Sequence, residues 1–288
     1  MCTKGAIEMA QVFFVSDDNP KMQAAYEQAR ATFRYFWREM AWERRRIVPA
    51  LDMAVVKVPF RDPAGTKYET EVPDAEQMWL SDIDFDGKEI HGTLINSPNW
   101  LKSIAEGDAA SVPINGITDW MYAIGGRVFG GFTVNAMRAD MGRAERAKHD
   151  AAWGLDFGDP SNIQLVQSGE HPAKSSGGFF SKLFGGAKSS APAAPVDLNA
   201  EHPMALNMAE SLEKFLTQDP SNTNAKDDRG WTYLHQLALA GTKTGVEIML
   251  KHGADIHAVT GNGLTALQLA RTLGWKDVIA LLVAKGAK

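Results

Sequence analysis

Hydrophobic and polar positions near the start of the chain follow the period of an α-helix. Apolar side chains recur at steps of three and four from Met22 to Met40, which places them on one helix face. Asn19 is a favourable N-cap, and it precedes Pro20, a residue well tolerated at the first helical position. Pro49 ends the helical region. The sequence therefore predicts an amphipathic helix that covers a core.

The pattern changes to the period of β-strands from residue 54 onwards. Short runs of β-branched and aromatic residues alternate with turns, and Asp86-Gly87 is a favoured tight turn between two of them. Together with a second helix predicted over 136–153, these strands predict an α+β fold, a small bent antiparallel sheet or barrel covered by helices. The predicted strands cover residues 54–60, 77–85, 88–95, 110–114, 117–124 and 127–134.

Residues 168–195 are dominated by Ser, Gly, Ala, Pro and Lys, a composition that buries too little apolar surface to offset its ordering entropy. We expect a flexible linker here, between a domain over 1–167 and a second domain over 196–288. An apolar motif interrupts this linker. Two interpretations are open: the motif docks on a partner or a membrane surface, or it packs against a flanking domain. Its members are Phe179, Phe180, Leu183 and Phe184.

Two segments near the C-terminus repeat at a distance of 33 residues. Residues 230–235 align with residues 263–268, and Gly241 aligns with Gly274. A period of 33 residues with this turn-helix-helix punctuation resembles ankyrin repeats. The resemblance implies an all-α ankyrin-repeat stack, with a degenerate cap that includes a helix over 204–218 and two units after it.

Ankyrin repeats bind other proteins through their turn tips and inner helices, so the resemblance predicts a protein partner here. The same resemblance implies that His235 fixes the entry to a helix and has a structural role. Trp231 has two interpretations: an exposed anchor for a partner, or a side chain that packs on the linker or the N-terminal domain. The predicted partner-binding residues are Asp228, Arg229, Trp231, Thr260, Asn262 and Leu264.

The N-terminal segment also carries a set of spaced motifs. They include Phe33-x-x-Phe36-Trp37, Val55-Val56-Lys57-Val58, Phe85-Asp86-Gly87, Gly92-Thr93-Leu94 and Ile117-x-Asp119-Trp120. In their order and spacing, residues 18–159 resemble a bacterial domain family of unknown function typified by YegJ. The resemblance implies a fold and a bacterial origin, and it implies no particular reaction.

Acidic residues on the predicted hairpin imitate the start of a calcium loop, because Asp82, Asp84 and Asp86 alternate before Gly87. An EF-hand needs an acidic bidentate ligand at the twelfth position, where this chain has Thr93, and it needs flanking helices instead of strands. The sequence therefore predicts no metal site, and no cofactor is assigned.

Two further groups on the sheet are candidates for chemistry. Trp79, Asp119 and Trp120 lie among glycine-rich turns and predict either a groove or the tight turns and bulges of a bent sheet. An enzyme hypothesis would place its site in this sheet and use Asp82, His91 or Asp119. The sequence contains no serine elbow, no P-loop and no metal-spaced histidine pair, so no catalytic residue is assigned.

Composition and charge narrow the partner class. The net charge is −5 and Cys2 is the one cysteine, which favours a reducing compartment, and we expect a cytoplasmic protein. Arg30, Arg34 and Arg38 form a stripe at helical spacing. This stripe is either a solvated helix face or a nucleic-acid surface, and the acidic balance favours the first, so no nucleic-acid partner is expected.

These observations favour a non-catalytic macromolecule-binding protein, either an adaptor or an immunity-like protein that blocks a toxin. Its two domains would recognise a protein partner across the linker. Two alternatives are kept: an enzyme of unknown reaction with its site in the N-terminal sheet, and a nucleic-acid-binding protein that uses the arginine stripe. No membrane-spanning segment is predicted, because no run of about 18 apolar residues occurs.

Overall fold

The computed structural model describes residues 19–167, 197–198 and 200–288. The apolar motif of Phe179, Phe180, Leu183 and Phe184 lies outside the described residues, as does the whole predicted linker. The interpretations of both therefore stay predictions.

The predicted first helix is confirmed as α1 (Pro20–Glu43). The Asn19 side chain accepts a hydrogen bond from the Lys21 backbone N–H at 2.9 Å, which satisfies one of the free donors at the helix start. Phe33 and Phe36 on the apolar face are fully buried. The apolar stripe of the sequence is thus the face that α1 turns towards the sheet.

Six strands form one antiparallel sheet in the order β4-β3-β2-β1-β5-β6. The sheet is open, so the sheet form of the fold prediction is confirmed and the barrel form is not. The predicted hairpin turn is present, and Gly87 adopts a φ of 91°, a conformation that glycine adopts without strain. The strands are β1 (Met53–Phe60), β2 (Glu76–Phe85), β3 (Glu89–Leu94), β4 (Ala109–Pro113), β5 (Asp119–Ile124) and β6 (Arg127–Gly130).

The end of β6 and the helical segment that follows it differ from the predictions. The sixth strand ends at Gly130, because Gly130 and Gly131 both adopt left-handed φ angles, of 77° and 73°. The predicted single helix is in fact two, α2 (Phe132–Asp140) and α3 (Arg143–Trp153). The chain between them is extended at Met141 and Gly142, so the i to i−4 hydrogen-bond ladder cannot continue.

The C-terminal part is an all-α stack in which two helix pairs repeat. These pairs are α5 (Tyr233–Leu239) with α6 (Lys243–Lys251), and α7 (Ala266–Leu273) with α8 (Lys276–Ala284). Both pairs begin 33 residues apart, as the repeat predicts. A single helix, α4 (Pro203–Gln218), precedes them and packs on α6. In this stack α5 and α7 are inner helices, and α4, α6 and α8 are outer helices.

The two regions share one hydrophobic core. Phe33 and Phe36 of α1 and Phe85 of β2 belong to the same buried cluster as Leu239 of α5 and Leu269 of α7. A second cluster lies inside the stack, and a third covers the opposite face of the sheet. The ankyrin stack is therefore packed against the N-terminal region by apolar side chains, in addition to the chain connection.

Candidate functional site

The turn tips of the ankyrin stack meet the hairpin that joins β2 to β3. Arg229 Nη1 lies 2.5 Å from Asp84 Oδ2, and Arg44 of the N-terminal region lies 2.8 Å from the other oxygen of the same carboxylate. Partial burial alone would raise the pKa of Asp84, but the two guanidinium groups together outweigh it and the pKa is lowered. One carboxylate thus joins the end of α1 to the first turn tip.

The second turn tip makes a matching contact one repeat further on. Asn262 Nδ2 donates to the backbone oxygen of Asp86 at 3.1 Å, and Lys88 Nζ donates to the backbone oxygen of Asn262 at 3.0 Å. Leu264 and Leu269 pack against Gly87, so closely that an added Cβ there would overlap both side chains. The tip of the hairpin is therefore held between the second turn tip and α7.

Trp231 belongs to the core that the two regions share. Its side chain is 4% exposed, and the Arg229 guanidinium lies 5.4 Å from its ring centroid. The structure agrees with the second interpretation of Trp231, in which the side chain packs against the N-terminal region. The sequence pattern alone could not decide between them, because both need a large apolar side chain at the same turn position.

The other predicted partner-binding residues occupy different environments. Thr260 is 3% exposed and bonds within its own turn, where its Oγ1 accepts from the backbone N–H of Leu264 at 3.1 Å. Asp228 is exposed at the first turn tip. Arg229, Trp231 and Asn262 contact the N-terminal region. Their recognition of a separate partner stays a prediction, and Asp228 and Arg229 are the members of the set with exposed side chains.

The predicted arginine stripe of α1 lies largely against the rest of the protein. Arg38 is 6% exposed and donates to the backbone oxygen of Ala200 at 2.8 Å. Arg34 donates to the backbone oxygen of Gly274 at 3.3 Å, and Arg30 donates to that of Ile117 at 3.4 Å. All three guanidinium groups thus have backbone acceptors.

Sequence reasoning missed one residue of this interface, Trp275. Its indole Nε1 donates to the backbone oxygen of Leu239 at 2.9 Å, and the guanidinium groups of Arg34 and Arg38 lie 5.8 Å and 5.9 Å from its ring centroid. The available signal was a tryptophan directly after the turn glycine at the start of an outer helix. That signal does not specify which surface the ring covers.

The three residues predicted to line a groove do not share one face of the sheet. Asp119 and Trp79 both pair with Lys57, whereas Trp120 pairs with the neighbouring residue Val56 and so projects from the opposite face. All three are buried, with exposures of 0% for Asp119, 6% for Trp79 and 0% for Trp120. Their arrangement is that of core residues on two faces.

Asp119 caps the start of α2 from within the core. Its carboxylate accepts hydrogen bonds from the backbone N–H groups of Phe132 and Thr133 at 2.9 Å and 2.8 Å, and from Thr133 Oγ1 at 2.5 Å. Burial raises the pKa of Asp119, and the hydrogen bonds from Thr133 and the nearby Lys57 charge oppose that shift. The carboxylate is thus a helix cap with its acceptors occupied.

The residues of the enzyme hypothesis are spread across the sheet. His91 lies on β3 and Asp119 on β5, and β2 and β1 separate these strands, so the two strands lie about 14 Å apart at the usual strand spacing. The two residues are also offset along the strands, since His91 pairs with Asp84 and Asp119 lies in register with Trp79. Asp82 lies at a bulge of β2 with a φ of 52°. His91 faces Asp86 at 3.6 Å, and Asp86 also caps the hairpin turn. Within the described residues, no group of three or more His, Cys, Asp or Glu side chains could hold a metal ion.

The fold and its interface define a class: an ankyrin repeat protein whose stack closes on an N-terminal α+β region. Comparison with protein families supports both parts. The model for three copies of the ankyrin repeat matches residues 203–288. The model DUF2314, described as an uncharacterized protein conserved in bacteria, matches residues 19–157.

A relative of nearly the same length identifies the family. The chain is 40% identical over 272 residues to the predicted ankyrin repeat protein NMB1133/NMB1171 of Neisseria meningitidis serogroup B. The matched segment covers 94% of this chain and 96% of that relative. The chain therefore belongs to the family of bacterial ankyrin repeat proteins that this relative represents, and it has a DUF2314 domain at its N-terminus.

Two partial relatives each match one region. YegJ of Escherichia coli is 27% identical over 86 residues, which is 30% of this chain and 50% of that protein. The human Notch-regulated ankyrin repeat-containing protein is 33% identical over 76 residues, which is 26% of this chain and 67% of that protein. Among the described residues, no helix combines the length and the apolar character needed to cross a bilayer.

Proposed function

We propose that this protein is a non-catalytic, cytoplasmic adaptor that binds a protein partner through a surface built by the ankyrin stack and the N-terminal region together. The carrying observation is the shared core, in which both turn tips and both inner helices contact α1 and the β2–β3 hairpin. These contacts bury much of the surface that ankyrin stacks usually offer to partners. The exposed surface beside the interface is then the part available for recognition.

A rigid junction between the two regions favours partner binding more than the flexibly tethered arrangement that the sequence suggests. Binding surfaces that are ordered before the partner arrives lose less conformational entropy on association. Asp84 with its two arginines, and Trp231 beneath them, would hold the stack at one angle to the sheet. The partner would therefore meet one fixed surface instead of two independently moving domains.

Affinity capture with the full-length protein tests the proposal. We expect the immobilised protein to retain at least one protein from the source bacterium, and the purified pair to associate with a defined stoichiometry in isothermal titration calorimetry. An Asp228→Lys variant tests the exposed turn tip without disturbing the shared core. If the wild-type protein retains nothing beyond what an unrelated immobilised protein retains, the adaptor proposal fails.

An immunity-like role is the more specific version of this proposal. The net charge of −5 favours it weakly, because an acidic protein steers a basic partner electrostatically. Expression of the captured partner alone should then arrest growth, and co-expression of this protein should restore it. Normal growth with the partner alone would leave the adaptor role in place and remove the immunity role.

A further inference from the structure

A groove lies between α4, the start of α5 and the end of α1, and it has a volume of about 410 Å³. Its apolar lining includes Met208, Leu212 and Phe215 of α4, together with Tyr233 and Leu237 of α5. Phe215 is 43% exposed and Tyr233 is 39% exposed. Two aromatic side chains on one groove therefore keep large apolar areas in contact with solvent, and such areas mark interaction sites.

The repeat architecture explains why the groove is there. Each complete unit of the stack pairs an inner helix with an outer helix, as α5 pairs with α6 and α7 with α8. The outer helix α4 packs on α6, and no described helix directly precedes it as an inner partner. The apolar sides of α4 and α5 consequently face each other across a space that an inner helix would fill.

Polar groups at this groove lack partners among the described residues. Trp42 and Thr242 both line it, and each is 3% exposed. Neither the indole Nε1 of Trp42 nor the hydroxyl of Thr242 has a hydrogen-bond partner within the described part of the chain. A buried donor without an acceptor costs about 1–3 kcal/mol, so the walls of the groove contain polar groups that are not fully satisfied within the described residues.

Arg45, at the same end of the groove, differs from its two neighbours. Arg44 is paired with Asp84, and Arg46 is paired with Glu39 and Glu43. No described carboxylate lies within ion-pair distance of Arg45, whose guanidinium donates to the backbone oxygen of Ala41 and to Gln236 Oε1. Burial lowers the pKa of Arg45, and the Tyr233 side chain, which hydrogen-bonds to Arg45, opposes that shift.

We infer that this groove binds an amphipathic helical segment of a protein partner, which places apolar side chains between α4 and α5 and a carboxylate on Arg45. A helix with apolar residues three and four positions apart fits a groove between two helices. The acidic group supplies the carboxylate partner that Arg45 lacks among the described residues. This inference rests on the proposed adaptor function and names the chemistry of the segment that the adaptor recognises.

The charge of the groove argues against the chain's own apolar motif as the occupant. The motif lies within residues 171–196, which contain three lysines and no aspartate or glutamate. A segment of that composition brings positive charge towards Arg44 and Arg45 and supplies no side-chain carboxylate. A separate acidic segment therefore matches the groove better than the internal one.

A peptide selection on the full-length protein tests the inference. The probe is a phage-displayed library of random 16-residue peptides, selected on the wild type and on an Ala209→Trp variant whose new side chain fills the groove. Asn207→Trp is the matched control, because it adds the same side chain to an exposed position of α4 outside the groove. Circular dichroism and thermal unfolding establish that both variants are folded.

We expect enriched peptides to combine apolar residues at helical spacing with Asp or Glu. They should bind the wild type and Asn207→Trp and fail to bind Ala209→Trp. In fluorescence anisotropy, Arg45→Gln should weaken an acidic peptide about tenfold, which is the usual loss for one charged hydrogen bond. The same variant should have little effect on a peptide whose acidic residue is replaced by Gln.

Other outcomes overturn the inference. No enrichment, or unchanged binding to Ala209→Trp, would remove the groove as the site. Enrichment without acidic residues would refute the carboxylate contact with Arg45. If peptides bind only after residues 177–186 are replaced by Gly and Ser, the chain's own motif is the occupant. Capture of a native protein equally by the wild type and Ala209→Trp would refute the groove and keep the adaptor. Peptide binding in the groove without capture of any native protein would keep the groove as a site and refute the adaptor function.

Discussion

At the residue scale, the two repeat units cap their inner helices in the same way with different side chains. The backbone N–H of Thr232 donates to His235 Nδ1 at 3.0 Å, and that of Thr265 donates to Gln268 Oε1 at 2.8 Å. His235 also lies 2.9 Å from the backbone oxygen of Ala258, through Nε2. Because Nδ1 accepts, the network assigns the proton to Nε2 and makes this ring neutral. The predicted structural role of His235 is confirmed.

This difference predicts the effect of His235→Gln. The glutamine keeps the capping bond, as Gln268 does, and loses the bond to Ala258, so we expect about 1 kcal/mol lower unfolding free energy at pH 7.5. Burial lowers the pKa of His235, so the neutral ring contributes stability above pH 6.5 that is lost as the pH falls through the folded pKa.

Urea unfolding at pH 7.5 and pH 5 checks both parts of that prediction. The wild type should lose more stability than His235→Gln on acidification, so the difference between them should shrink. Gln268→Ala is a useful control, since it removes the equivalent cap without removing a titrating group. An equal loss in wild type and His235→Gln would mean that the ring does not titrate as the structure requires.

Asp119 carries a second residue-scale prediction. Replacement by Ala leaves the first N–H groups of α2 without acceptors inside the core, and we expect a loss of about 2–4 kcal/mol. Asp119→Asn keeps one acceptor oxygen and should lie between Ala and the wild type. Guanidinium unfolding gives the order, with the exposed Asp74→Ala as control. A catalytic carboxylate with no structural role would leave the unfolding free energy unchanged.

Individual residues also show where sequence reasoning ends. The role of His235 was predictable because its partners are only 3 and 23 residues away in the chain. The burial of Trp231 was not predictable, because it depends on a surface formed by residues that are distant in the sequence. The pairing of Asp84 with two arginines is a similar case, since the sequence pattern indicated only an alternating strand.

At the element scale, the β2–β3 hairpin contacts the ankyrin stack together with α1. The sequence predicted the hairpin and its Asp86-Gly87 turn, since turn chemistry is local. It did not predict that Leu264 and Leu269 would cover the turn. The end of β6 was placed too late for a related reason, because paired left-handed glycines are compatible with a strand turn as well as with a helix start.

Substitution of Gly87 by Ala should therefore weaken the junction more than the turn itself. Its φ of 91° makes any side chain strained, and the new Cβ would also overlap Leu264 and Leu269. Gly65→Ala is the matched control, since its φ is 90° and nothing lies within 4 Å of the added Cβ. We expect Gly87→Ala to cost at least 1 kcal/mol more than Gly65→Ala in denaturant unfolding, a difference that isolates the overlap. Equal costs would mean that the hairpin tip is free of the stack.

At the scale of the whole molecule, the shared core should couple the stability of the two regions. Within the described residues the stack is short, with α4 and two complete helix pairs, and repeat stacks of this size gain stability from each neighbouring surface. The N-terminal region supplies such a surface along both inner helices. We therefore expect one cooperative unfolding transition, reported alike by far-UV circular dichroism and by tryptophan fluorescence.

Trp231→Ala tests this coupling most directly. The side chain is 4% exposed inside the shared core, and truncation of a buried tryptophan costs about 3–5 kcal/mol. We expect the variant to lower the unfolding free energy by that amount and to separate the two probes into distinct transitions, because the stack loses a large apolar side chain from the shared core. Asp228→Ala, three residues away and exposed, should change the free energy by less than about 0.5 kcal/mol. If Trp231→Ala keeps wild-type stability but loses a partner, the side chain is an exposed anchor in solution, and the junction between the two regions opens there.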